Sequence, residues 1–310
     1  MTAVGLLCSA TFVLGFGQGR ASRSASTGGE TFRMVEDAAE RIRSSSLKPP
    51  SDDALARGAV AGMIGALGDS YAIYYSPNDF RAFQESIEGS FTEASLGAPG
   101  SGSDPRVSYR MLGGSVGYIA LPVFHRGAGD KVRAAVRTLQ ARGAEGFVLD
   151  LRDDPGGLLV EAVRVAGVFF KDGPIVTYQK RGRQPVIYEA GGLSGRDSAA
   201  ADVALVVLVN EKSASASEIV AGAVQDRGRG LIVGTTTFGK GSAQEVFDLA
   251  RGAGLQLTTA VYLTPSGRSI HGVGIVPDIV IKGSKEAQLA RAEGILHEML
   301  GDLSVSRARG

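Results

Sequence analysis

The segment Val203–Val209, VALVVLV, followed by Asn210, constrains the fold more than any other part of the chain. Seven apolar residues with no polar alternation pair as a strand only where both faces are covered, which is the situation of a parallel strand between helical layers. The text around it has the matching grammar. VGYIALPVF at 116–124 reads as a strand, a helix with Val132, Val136 and Leu139 on one stripe follows, and GFVLDL at 146–151 is a second apolar strand. A helix follows DPGG, a strand pair spans about 175–189, and a helix spans about 215–226. Then come the strand LIVG, a glycine-rich turn, the strand LQLTTAVYL and a C-terminal helix near 285–300. The predicted class is α/β, a sheet covered on both faces. Glycine, 44 of 310 residues without a Gly-X-Y period, adds the expectation of many tight turns and close backbone approaches.

Upstream, ETFRMVEDAAERIRSS, DDALARGAVAGMIGALG after Pro49-Pro50-Ser51, and NDFRAFQESI after Ser76-Pro77 read as three short helices within 30–91. Residues 92–107 have loop composition. Residues 1–19 carry no charged side chain and as a helix would extend about 28 Å, close to the bilayer hydrocarbon thickness, so they read as a membrane anchor or signal sequence with 20–29 as linker. The expected organisation is therefore 1–19 anchor, 20–29 linker, 30–91 helical region, 92–107 short linker, 108–283 core, and 284–310 C-terminal helix and tail.

Net charge is +1, from 33 basic and 32 acidic side chains, and gives no electrostatic reason to expect a nucleic-acid partner. The one cysteine, Cys8, cannot form an intramolecular disulfide, and the three histidines (His125, His271, His297) form no HExxH or zinc spacing, so neither metal nor cofactor is expected.

Three segments could carry chemistry. Between Asn210 and the helix, Ser213, Ser215 and Ser217 alternate, and a serine there lies beside the unpaired N–H groups of a first helical turn, where an oxyanion can be held. Taken alone, such a serine is a helix cap. Lys240 stands between Gly239 and Gly241. A lysine serving as general base must be neutral near pH 7, which desolvation favours and flanking glycines permit; taken alone, Lys240 reads as a solvated turn residue. In Asp150–Gly157, DLRDDPGG, the paired glycines Gly156 and Gly157 can turn backbone N–H groups into a cavity, or simply make a strand-to-helix turn.

Together these segments resemble the carboxyl-terminal processing peptidases, serine proteases with a Ser/Lys dyad. The resemblance rests on SASASE followed by FGKGSAQ, with Ser215 and Lys240 separated by 25 residues and Gln244 four further on. It extends through GDSYAIYYSPNDFRAF, GGSVGYI, LDLRDDPGGLL and LTPSGRSIHGVGIVPDIVI, from about 60 to 282. It implies Ser215 as nucleophile, Lys240 as general base, Gln244 as the side chain orienting the lysine, and the N–H groups of Ala216 and of Gly156 or Gly157 as the oxyanion hole. Thr264–Arg268, TPSGR, is expected to be structural. The resemblance further implies a crotonase/Clp-protease-like core of crossed parallel strands and helices, protein or peptide substrates with apolar C-termini, and an extracytoplasmic place in the bacterial cell envelope, with membrane contact through the N-terminal segment.

The chain departs from the family in two places. Family members typically carry a PDZ domain where this chain has only the sixteen residues 92–107, so PDZ-gated control is expected to be absent, with either steady basal activity or dependence on a separate regulatory or adaptor protein. Asp153-Asp154 replaces asparagine-rich text before PGG, which brings an extra carboxylate toward the oxyanion hole. Other readings stay open: a peptide-binding protein on a protease fold that does not cleave, and a nucleotide site at Gly234–Lys240, one residue short of a P-loop and lacking its Ser/Thr. The GxSxG match at Gly113–Gly117 precedes a strand, the wrong context for a nucleophile elbow.

Overall fold

The computed structural model describes residues 28–91, 107–192 and 198–308; the anchor expected over 1–19, most of the 20–29 linker and nearly all of the 92–107 linker lie outside the described residues. The described residues fall into two units, one made of 107–192, 198–244 and 259–308, the other of 28–91 and 245–258.

In the smaller unit, helices α1 (Gly28–Ser45), α2 (Asp52–Leu67) and α3 (Pro77–Phe91) form where the sequence places them. Ser51 caps α2 by accepting the Ala54 N–H, and Gly68 ends it in the left-handed conformation at φ 63°. Ser76 caps α3 through the Asp79 N–H, with Pro77 at its first position. A strand too short for sequence periodicity to reveal, β1 (Ile73–Tyr75), pairs antiparallel with Gly254–Gln256. That pairing is why 245–258 groups with the N-terminal helices rather than with the core. No described helix is long and apolar enough to cross a membrane.

The larger unit contains strands β2 (Ser108–Met111), β3 (Val116–Ala120), β4 (Gly146–Asp150), β7 (Ala204–Val209), β8 (Leu231–Gly234) and β11 (Ile279–Val280). They form a six-stranded sheet in the order β11-β8-β7-β4-β3-β2, parallel except for β2. The unbroken apolar run of β7 has the expected explanation. Leu205, Val207 and Val209 face a core shared with α4 (Ala128–Ala141), α5 (Leu159–Phe169) and α6 (Ala216–Asp226). Ala204, Val206 and Leu208 face a second core closed by Ala292, Ile295 and Leu296 of α7 (Lys285–Ala308). Strand alternation thus distributes one apolar run between two helical layers. A second sheet adds β5 (Pro174–Lys180), β6 (Val186–Glu189) and the end of β10 (Gly254–Leu263), with Ala260–Leu263 paired antiparallel to Thr177–Lys180. Strand β9 (Ser242–Asp248) occupies part of the stretch read as a glycine-rich turn.

The sheet order brings three turns together. Strands β4, β7 and β8 are adjacent and parallel, with Asp150 beside Leu208 and Val209 beside Gly234. The turns that leave their carboxyl ends, carrying Gly156–Gly157, Ser215 and Lys240, therefore emerge side by side.

Close packing between layers uses glycine at Gly117, where an added Cβ would meet the Phe147 ring at 2.8 and 2.9 Å and Leu139 Cδ1 at 3.1 Å. Gly117→Val is expected to destabilise the chain by about 1–3 kcal/mol through overpacking, read as a lowered urea midpoint with the slope unchanged.

Candidate active site

Ser215 ends the turn after β7 and immediately precedes α6, with φ 55° and ψ −109°. A positive φ on a residue with a β-carbon costs on the order of 1–3 kcal/mol and marks a position held by its surroundings. The flanking serines do much of the holding. Ser213 Oγ donates to the Leu151 carbonyl at 2.7 Å, and Ser217 Oγ to the Asp154 carbonyl at 3.0 Å. The Ala214 N–H also donates to the Asp154 carbonyl, at 3.0 Å. Of the three alternating serines, two therefore tie the serine turn to the turn after β4, and Ser215 stands at the sharp strand-to-helix corner.

Glu218, which sequence reasoning passed over, joins this corner to the lysine turn. Its Oε2 accepts the Ser215 N–H and the Lys240 N–H, both at 2.8 Å. Its Oε1 accepts the Gly239 N–H at 2.7 Å and the Thr237 hydroxyl at 2.5 Å. Two nitrogens each 2.8 Å from one oxygen are at most 5.6 Å apart, so one carboxylate oxygen holds the backbones of Ser215 and Lys240 together. Burial raises the Glu218 carboxyl above the usual glutamate range, and its Thr237, Gly239, Ser215 and Lys240 donors act against that rise. The sequence signal was present: Ser215-x-x-Glu218 is a capping-box pattern, in which the N3 carboxylate reaches back to the N-cap N–H.

The lysine turn is enclosed. Lys240 is 2 % exposed and Ser215 fully buried. The flanking glycines allow the 270–274 segment to press on both sides, since a Cβ at Gly239 would lie 3.1 Å from the Val273 and Gly274 nitrogens, and one at Gly241 2.6 Å from the His271 nitrogen. The Phe238 N–H donates to the Ser213 carbonyl at 3.0 Å, a second tie between the turns. Gln244, buried at the start of β9, donates from Nε2 to the buried hydroxyl of Ser242 at 3.0 Å.

The third component is the turn after β4. Gly156 (φ 103°) lies against the serine corner: a Cβ there would be 2.9 Å from the Ala216 nitrogen and 2.9 Å from Ser215 Cβ. Gly157 forms a parallel bridge with Phe124, in which the Phe124 N–H donates to the Gly156 carbonyl and the Leu158 N–H to the Phe124 carbonyl, each at 2.9 Å. In such a bridge the Gly157 N–H points to the side opposite Phe124. The Gly156 N–H donates 2.8 Å to Asp154 Oδ1, so of the two glycines Gly157 presents the better placed donor. The Ala216 N–H opens α6, where no preceding turn supplies an acceptor.

The same contacts count against the nucleotide reading of Gly234–Lys240. The Gly239 and Lys240 amides, which would turn toward a phosphate in a P-loop, are turned onto Glu218, and a strand follows rather than a helix. Ser115 of the GxSxG match precedes β3 and is remote in the chain from any helix start. The TPSGR turn packs on the end of α6: Asp226 accepts the Ser266 N–H at 3.0 Å and hydroxyl at 2.6 Å and pairs with Arg268 at 2.8 Å, which fits the structural part expected of it. Among the described residues no group of three or more His, Cys, Asp or Glu side chains is placed to hold a metal ion.

Comparison with known proteins identifies relatives with the same core. The model of peptidase family S41 matches residues 115–281. The carboxyl-terminal-processing protease of Synechocystis sp. is 44% identical over 171 residues, covering 55% of this chain and 39% of that protein. The carboxy-terminal-processing protease of Bartonella bacilliformis is 43% identical over 180 residues, covering 57% of this chain and 41% of that protein. The matched region thus spans about two fifths of these relatives' length. Among solved structures, the photosystem II D1 C-terminal processing protease superposes with a TM-score of 0.64 at 23% identity, covering 86% of this chain and 97% of that one, a likeness of fold. With more than half of its length matched by the family model, this chain belongs to peptidase family S41.

Proposed function

We propose that the chain is a serine endopeptidase that cleaves near the C-termini of protein substrates, with Ser215 as nucleophile and Lys240 as general base. The observation that carries this reading is the pair of N–H groups, Ser215 and Lys240, on a single Glu218 oxygen at 2.8 Å each. The family match and the names of the relatives support it.

The chemistry proceeds without histidine. Lys240, enclosed and required in its neutral amine form, takes the Ser215 hydroxyl proton as Oγ attacks the scissile carbonyl. The carbonyl oxygen becomes an oxyanion between the Gly157 and Ala216 N–H groups. Lys240 then passes the proton to the leaving amine as the C–N bond breaks, giving the acyl-enzyme. It next removes a proton from water, which attacks the ester, and returns a proton to Oγ as the substrate acid leaves. Gln244 acts as the orienting side chain for the lysine. Its bond to Ser242 fixes the carboxamide for that task. The uncharged 1–19 run supports an envelope location, and the shortness of 92–107 supports activity without an internal PDZ sensor.

Three outcomes check this reading with an internally quenched, apolar-ended peptide. Ser215→Ala and Lys240→Ala are each expected to lower kcat by at least about 10³-fold, and the double variant no further, because the two groups act as one unit. Retained turnover in Ser215→Ala would remove the assignment. The wild-type rate is expected to rise with pH through neutrality, since only the unprotonated amine can act as base; a rate falling over that range would exclude Lys240. In Glu218→Gln, a carboxamide donor faces N–H groups where an oxygen now accepts. The expected result is a loss of about 10²-fold in kcat from displacement of the two turns, with a stability loss of about 2–5 kcal/mol from buried donors left unpaired. Wild-type kcat in Glu218→Gln would show that the dyad does not depend on this carboxylate.

A further inference from the structure

Asp154 is a buried carboxyl that takes no part in the acyl-transfer steps. It is fully buried, one residue before the Pro155-Gly156-Gly157 turn. Its Oδ1 accepts the Gly156 N–H at 2.8 Å, and its own carbonyl accepts the Ala214 N–H and the Ser217 hydroxyl, each at 3.0 Å. Its backbone thus fixes the serine corner while its side chain fixes the glycine turn. Oδ2 has no hydrogen-bond partner among the described residues.

An ionised carboxylate in this position would face two penalties. A buried, half-satisfied charge is expensive, far more so than a neutral carboxyl group with one unpartnered oxygen. The negative charge would also stand one peptide unit from the Gly157 N–H, opposing the oxyanion that forms there. Two like charges so close in a buried site repel, which would raise the barrier to forming the oxyanion. Burial lifts the Asp154 carboxyl well above the usual carboxylate range; the Gly156 amide acts in the other direction, as does the nearby Ser217 hydroxyl, whose hydrogen bond is to the Asp154 carbonyl. The ionisable groups on the surrounding elements are Asp150, Asp153, Glu218, Lys240 and His125. Asp153 is paired with Lys285 and lies 3.9 Å from Lys212; Asp150 is paired with Arg152 at 2.5 Å. Glu218 is taken up by its four donors, Lys240 lies on the turn after β8, beyond the serine turn, and His125, beside the residue that bridges Gly157, bonds the Arg126 carbonyl through Nδ1 while its buried Nε2 has no hydrogen-bond partner among the described residues.

We propose that Asp154 is a positioning residue of the oxyanion hole that works as the neutral acid, its Oδ1 holding the Gly156 N–H so that the next amide, Gly157, is aimed at the developing oxyanion. It touches no reacting atom; it acts through the turn. The proposal rests on the reading of Ser215 as nucleophile. A group with this task tolerates replacement by the neutral isostere and does not tolerate removal.

The test uses the full chain and a fluorophosphonate, whose attack by serine needs the same oxyanion donors and no knowledge of the natural substrate. The maximal labelling rate and the half-saturating concentration are measured for wild type, Asp154→Asn, Asp154→Ala and Ser215→Ala. Asp154→Asn is expected to label within about threefold of wild type or faster. Asp154→Ala is expected to lose about 10²-fold in maximal rate with half-saturation little changed, the signature of a lost transition-state interaction. Infrared difference spectra at neutral pH are expected to contain a protonated-carboxyl C=O stretch that is absent from Asp154→Asn. Wild-type labelling by Asp154→Ala, an Asp154→Asn protein as slow as Asp154→Ala, or a spectrum in which Asp154→Asn removes only carboxylate bands would each overturn the proposal. Failure of wild type to label at Ser215 would instead overturn the protease reading, and the role of Asp154 with it.

Discussion

Everything at the site depends on one buried carboxylate with four donors. Glu218 accepts from the N–H groups of Ser215, Gly239 and Lys240 and from the Thr237 hydroxyl, at 2.5–2.8 Å. A buried acceptor of this kind is costly to strip of any single partner, so the four donors are held as a set. Two of them belong to the residues assigned as nucleophile and base. The carboxylate therefore does for backbones what a catalytic hydrogen bond does for side chains: it fixes the distance between two turns that share no local sequence. The strained φ of Ser215 is supported by the same contact together with the Ser213 and Ser217 bonds to the neighbouring turn.

The sheet makes this arrangement possible with little chain. Three adjacent parallel strands each deliver one component at the same edge; α5 and the β5–β6 pair lie between the first component and the second, and α6 between the second and the third, with the apolar faces of α5 and α6 buried on the sheet. The turn after β4 carries Gly156 and Gly157, and its packing against the serine corner is close enough that a β-carbon at Gly156 would stand 2.9 Å from the Ala216 nitrogen. Glycine is required there because its φ is 103° and a β-carbon would stand 2.7 Å from the Ala214 carbonyl oxygen.

Much of this was legible in the sequence. The apolar runs over 146–151 and 203–209 specified a doubly covered parallel sheet, and both strands lie there. Of the spaced residues Ser215, Lys240 and Gln244, the first two have their backbone N–H groups on one Glu218 oxygen, while Gln244 is buried with its carboxamide on Ser242. Other features were not legible, for identifiable reasons. Strands β1 and β11 have three and two residues, too few to carry a period. The grouping of 245–258 with the N-terminal helices follows from a pairing across more than 170 residues, which local pattern cannot show. Glu218 left a readable trace as the fourth residue of Ser-x-x-Glu, but its bonds to Gly239 and Lys240 are tertiary and make the difference between a helix cap and a site. Asp154 was visible as an extra carboxylate before PGG, whereas its hold on the Gly156 amide required coordinates.

The most direct measurement of the central claim is the position of the fluorophosphonate adduct, mapped by peptide mass spectrometry in wild type and Lys240→Ala. A nucleophile activated by the neighbouring lysine gives one adduct, on Ser215, in the wild type and none over the same time in Lys240→Ala. An adduct on Ser213 or Ser217, or a Ser215 adduct that forms equally fast without Lys240, would contradict it.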